Sequence, residues 1–163
     1  MRKMKKKNGF TLVELLAVIV ILAVVVLIAM TAVVPQMEKA RKNAFITEAN
    51  KFLQGATNYY TDAQIKSSGS SMPAAGGCVS IQTLITGGYI DKKAGTNYHG
   101  YVNINASNPS SVTYSIILSN GNYHTGSTAG TPAEISPANL NDTNIQTNSA
   151  QAADAPSGVT CYN

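Results

Sequence analysis

Glu14 is the one ionisable side chain between positions 10 and 34, where the chain reads FTLVELLAVIVILAVVVLIAMTAVV. A carboxylate inside a membrane costs a few kcal/mol unless it finds a cation or a donor. The other groups with chemistry to offer are fewer than the length suggests. Cys78 and Cys161 are the two cysteines, and no CxxC or Cys/His cluster surrounds them. Outside the cytoplasm such a pair makes a disulfide; inside it the two remain buried thiols. His99 and His124 fall on neighbouring extended stretches and face each other across strands, but no cysteine or carboxylate cluster joins them. No nucleophile, base and orienting acid stand in a recognisable pattern. The residues therefore give no catalytic set, no metal site and no cofactor site, and they point away from an enzyme.

Charge narrows the partners further. The chain has 163 residues, room for one domain and an appendage, and a formal charge of +4. Arg2, Lys3, Lys5, Lys6 and Lys7 supply five of its twelve basic residues. With those set aside, seven basic residues face eight acidic ones, a balance of −1. A chain whose basicity sits in its first few residues is a poor candidate for general nucleic-acid binding: nucleic acid is a possible partner that the charge does not indicate.

The element that carries Glu14 is long enough, at about 25 residues, to cross a hydrocarbon core of about 30 Å as a helix. Three readings compete for it. A secretory signal has a shorter apolar core and a small-residue cleavage site, and none stands out before Pro35. A plain anchor keeps the basic run in the cytoplasm and the rest outside, but leaves Glu14 without a purpose beyond snorkelling to the headgroups.

The third reading uses every residue. "KKKNGFTLVELL" resembles the N-terminal signature of type IV prepilins and pseudopilins, over roughly residues 2–34. In that family a basic leader ends in glycine. A membrane-embedded prepilin peptidase cuts after it on the cytoplasmic side, then methylates the new N-terminus, usually phenylalanine. A glutamate follows one helical turn later. Gly9 matches the last leader residue, Phe10 the methylated N-terminus and Glu14 the glutamate. In a filament core the amine freed on Phe10 needs an anion, and Glu14 needs a cation. Pairing between neighbouring subunits meets both needs and fixes axial register. Many family members carry glycine and proline inside the apolar helix. Here the first such breaker is Pro35, past the span, where it favours a kink over a stop.

The resemblance implies an α+β, pilin-like fold, and the downstream sequence agrees with it. Phe45, Ala49, Phe52, Leu53, Ala56, Tyr59 or Tyr60, and Ala63 recur at three- and four-residue steps, the mark of an amphipathic helix to about Lys66. Glu38 and Lys42 make an i,i+4 pair, and Glu38, Lys39, Arg41, Lys42 and Glu48 are salt-bridge partners between subunits or a solvated face. "SSGSSMPAAGG" at 67–77 ends the helix. A capped turn follows at 80–85, started by Ser80. "HGYVNINA", "SSVTYSIILSN" and "GNYHTG" read as antiparallel strands with a hairpin at "SNGN", and put Val102, Ile104, Val112, Tyr114 and Ile116 on the face laid against the helix. Residues 127–157, poor in large apolar side chains, read as a long surface loop. A Cys78–Cys161 disulfide would pin the tail to the start of the head. Asn105 and Asn141 match a glycosylation acceptor pattern that an Asn-rich head produces by chance.

The expected organisation is a basic leader at 1–9, a transmembrane or filament-core helix at 10–34, its amphipathic continuation at 35–66, and a β-rich head at 67–163. Three functions follow. The first is a type IV pilin polymerised into an extracellular filament for adhesion, motility or DNA uptake. The second is a pseudopilin of a competence or type II secretion apparatus. The third is a monomeric, membrane-anchored surface binding module. The expected partners are copies of the chain and other pilins, prepilin peptidase, an assembly platform with its cytoplasmic motor ATPase, and the membrane while the chain is monomeric. The precursor would cross the cytoplasmic membrane once, N-terminus inside, before export to the pilus or cell surface.

Overall fold

A computed structural model describes residues 9–65, 76–91, 97–108, 110–147, 150–158 and 160–162. The leader, apart from Gly9, lies outside them. The chain forms two compact units, one up to Ala40 and one from Arg41 onward. A single helix, α1 (Leu12–Ile65), contributes to both and carries Pro35 within it.

In the first unit the apolar side chains of α1 have no protein to pack on. Leu16, Val20, Val25 and Ile28 are all more than half exposed. The most apolar stretch has a mean hydropathy of 3.3, and none of it is buried. That surface would be intolerable in water over such a length and is what a lipid or a bundle of like helices removes. Thr31 donates its hydroxyl to the Ile28 carbonyl at 2.8 Å, so the one polar side chain late in the span is satisfied within the helix.

The second unit is built on the other half of α1. Phe45, Ala49, Phe52, Leu53, Gly55 and Ala56 are buried, at the three- and four-residue steps the sequence shows. They face one side of a five-stranded antiparallel sheet in the order β1-β2-β3-β4-β5, with β1 (Gly76–Ser80), β2 (His99–Asn105), β3 (Thr113–Ser119), β4 (Tyr123–Thr125) and β5 (Ile145–Thr147). Val102, Ile104, Ile116 and Leu118 fill the interface, and Val112 and Tyr114 pack at its margin. Phe52 meets Tyr98 edge-on with ring centres 5.1 Å apart. Burying each Phe is worth about 1.5–3 kcal/mol. Between β1 and β2 lies α2 (Ile81–Thr86), whose N-cap Ser80 accepts from the Thr83 N–H as the sequence predicts.

Two strands were not legible. β1 falls where a helix-breaking run ends, and β5 lies inside the stretch read as surface loop. That stretch also sends Ile135 to a two-way backbone bridge with Ile116 on β3. Ile135 and Ile145 are buried and Ile145–Thr147 pair with β4, so the region is a loop fastened to the sheet at several points. Lone isoleucines among Thr, Asn and Pro give no period-two signal, and the pairing with β4 is what defines the strand.

Candidate functional site

The residues with chemistry occupy two places. The first is the start of α1. Gly9 and Phe10 lie outside the helix, and Phe10 is 81% exposed. A Cβ built on Gly9 meets nothing within 4 Å. Gly9 and Phe10 are thus both exposed. Thr11 and Glu14 then close a reciprocal cap. The Thr11 N–H and hydroxyl both donate to Glu14 Oε2 at 2.9 Å, and the Glu14 N–H donates to Thr11 Oγ1 at 3.3 Å. This is a capping box, Thr-x-x-Glu, which satisfies N–H groups that a helix start leaves orphaned.

The cap has two consequences. Both Thr11 donors converge on one carboxylate oxygen, so among the described residues Glu14 Oε1 keeps its lone pairs for a further donor. Thr11 also lies on the C-terminal side of the Gly9–Phe10 bond, so breaking that bond leaves the cap intact. Glu14 is oriented by its own chain. The Thr-x-x-Glu spacing was readable in the sequence. Thr11 went unassigned there because the apolar run and the glutamate drew the reading.

The second place is the sheet face turned away from α1, where the C-terminal segment lies. Cys78 and Cys161 are bonded, with Cα atoms 4.7 Å apart, and both are buried. Tyr162 N–H donates to the Cys78 carbonyl at 2.9 Å in a parallel bridge beside β1. Asp154 accepts from the Gly100 N–H at 2.9 Å and meets His99 Nδ1 at 3.3 Å. The Ala152 N–H donates to Ser119 Oγ, which is fully buried. Gly100 has φ 134°, and a Cβ there would sit 2.0 Å from the Ile117 carbonyl oxygen, so only glycine lets β2 approach β3 at this point.

His99 and His124 both register against Ser119, one from each side, so a strand separates them and they do not face each other directly. His124 is fully buried with Nδ1 at 3.0 Å from the Thr125 oxygen. Among the described residues no three His, Cys, Asp or Glu side chains gather to hold a metal. Tyr101 is pushed above its ordinary 10.0 by burial first, then by the negative charge and hydrogen bond of Glu134. Glu134 also accepts a very short hydrogen bond from Ser115. On α1, Lys42 Nζ donates to the Asp142 carbonyl. The Asn141 side chain accepts from Thr143 Oγ1 and the Asn144 N–H.

Residues 4–30 match the family model of the prokaryotic N-terminal methylation motif. The chain carries the prepilin-type cleavage and methylation motif. With the apolar helix behind it, the motif fits membrane anchoring and points to a structural protein of the pilin or pseudopilin kind. No curated protein and no solved structure matches the chain.

Proposed function

We propose that the chain is a type IV pilin, made as a single-pass membrane precursor with its basic leader in the cytoplasm. Prepilin peptidase cuts between Gly9 and Phe10 and methylates the Phe10 amine. The assembly platform, driven by its motor ATPase, then moves the subunit into an extracellular filament of like subunits. The observation that carries this reading is the half-satisfied carboxylate of Glu14. Its Oε2 is occupied by Thr11, while Oε1 has no partner among the described residues, one helical turn from where cleavage would create an amine. In a dry filament core an amine on one subunit and a carboxylate on the next each remove the other's burial penalty.

The mechanism needs little chemistry from this chain. The leader supplies the cytoplasmic charge that sets orientation. The exposed Gly9–Phe10 pair supplies the bond to be cut. The apolar part of α1 dissolves in lipid before assembly and against other copies after it. Mass spectrometry of protein from sheared surface filaments tests the whole reading. The expected mass is that of residues 10–163 with one N-terminal methyl and an intact disulfide. An N-terminus downstream of Pro35, or recovery only from the membrane fraction with none in filaments, would refute it.

A further inference from the structure

α1 forms one wall of a cleft of about 290 Å³ on the second unit, and the segment 89–91 forms the other. Two features hold this cleft in shape. Gly55 lets Ile90 press directly on the helix, since a Cβ there would lie 2.6 Å from Ile90 Cδ1. Tyr89 is pinned by an edge-on contact with Tyr59, ring centres 5.4 Å apart, and donates to Asp62 Oδ2 at 3.1 Å. The walls are therefore preformed, as small-ligand sites usually are.

The lining has a specific character. Lys51, Gln54 and Asn58 come from one side of α1, at i, i+3 and i+7, and Asp91 comes from the opposite wall. Ile90 and Tyr89 supply an apolar surface between them. Among the described lining residues Lys51 and Asp91 are the two charged side chains, and they offset each other. Two carboxamides both donate and accept, and the carboxylate accepts twice. That set matches a ligand rich in neutral hydroxyls with a C–H face to lay on Ile90 and Tyr89. The volume, about 290 Å³, lies just below the range of about 300–1,000 Å³ usual for drug-sized ligands, which suits a single small ring.

We infer that this cleft binds a neutral sugar unit, a hexose or N-acetylhexosamine of a larger glycan. Asp91 and the two carboxamides hold the ring hydroxyls, and Ile90 and Tyr89 carry the ring face. The inference does not depend on polymerisation: a monomeric anchored chain would bind the same ligand.

The test is saturation-transfer NMR on the full chain in detergent micelles, with galactose, mannose and N-acetylglucosamine as probes. Each is supplied at about 10 mM, because a shallow site of this size binds in the millimolar range. Transfer to the ring protons of at least one sugar is expected. Gln54→Ala combined with Asn58→Ala should weaken that binding about tenfold, the effect of losing two hydrogen bonds. Both positions are exposed on a helix where alanine is favourable, and an unchanged melting curve confirms that the variant folds. Absence of transfer from all three sugars, or transfer that the double variant leaves unchanged, overturns the inference. So does transfer to glycylglycine in place of the sugars, which would mean that Lys51 and Asp91 read a zwitterion.

Discussion

Two substitutions separate the two tasks assigned to Glu14. Glu14→Gln keeps the capping box, because a glutamine at this position still reaches back to the Thr11 N–H. It removes the charge. In a filament built as proposed, each Phe10 amine would then face an amide, and removing one partner of an ion pair that assembly buries costs about 3–5 kcal/mol. That is a factor of roughly 10²–10³ or more in the association constant at every junction. Thr11→Ala does the converse. It removes the hydroxyl bond to Glu14 Oε2 at 2.9 Å and the return bond at 3.3 Å, but leaves the carboxylate and the Thr11-position N–H. Loss of an N-cap side chain costs about 1 kcal/mol, roughly fivefold. The predicted order of filament yield is wild type, then Thr11→Ala, then Glu14→Gln, with the larger gap at the second step. The assay is immunoblotting of sheared filaments against the membrane pool, with the variant as the sole source of subunit. Both variants should still be cleaved after Gly9, which the same blot reports as a mobility shift. Wild-type yield from Glu14→Gln would refute the pairing, whatever Thr11→Ala does. Equal and severe loss from both would show that the cap, and not the charge, is what assembly requires.

Three further outcomes follow. Gly9→Leu should leave the full-length precursor in the membrane, read as an unshifted mass, because a side chain is added beside a bond that now has open space around it. Cys161→Ser should lower the stability of the second unit by about 4–5 kcal/mol, the chain-entropy value for a closed loop of 83 residues; urea unfolding with and without reductant measures it, and equal midpoints for the variant and the oxidised wild type would count against any stabilising role. Tyr101 holds its proton above 10.0 in the folded state, so the stability this gives is complete below the ordinary tyrosine range and is lost as pH rises through the folded value. Ultraviolet phenolate titration should therefore show a late transition that Tyr101→Phe removes.

The motif and the buried helix face were legible because each rests on a strong local rule. An apolar run with one carboxylate, preceded by a basic cluster and Gly-Phe, admits few physical interpretations. Phe45, Ala49, Phe52, Leu53 and Ala56 repeat at helical spacing, and all five are buried. β2 and β3 were legible through alternation, and Val102, Ile104 and Ile116 are in the core as that alternation requires. The rest escaped for identifiable reasons. β1 reads GGCVS, whose glycines argue against a strand, yet Gly77 is needed because the Tyr162 ring lies 2.6 Å from where its Cβ would be. Asp154 gave no signal because its partner is a backbone N–H 54 residues away. Long-range backbone partners leave no periodic trace.

The head's construction also explains why its polar C-terminal region is ordered at all. Among the described residues of this region, Ala152 and Cys161 are buried in the apolar cluster on the outer face, beside Cys78, Tyr101 and Ile117, and Ala155 packs against it. These are small side chains, and ordering a residue's backbone costs about 1–2 kcal/mol. Further order comes from fixed points: the Cys78–Cys161 bond, Asp154 on the Gly100 N–H, Ala152 on Ser119, and Tyr162 on Cys78. Each ties down backbone that would otherwise be free, and the covalent one acts on the unfolded chain as well. A head stabilised in this way tolerates polar, variable sequence between its fixed points, provided that the cysteines, Gly100 and Ser119 keep their places. The sheet's outer face, which carries the Cys78–Cys161 bond, is thus a part of the molecule whose stability depends on leaving a reducing compartment, as the export proposed for the chain requires.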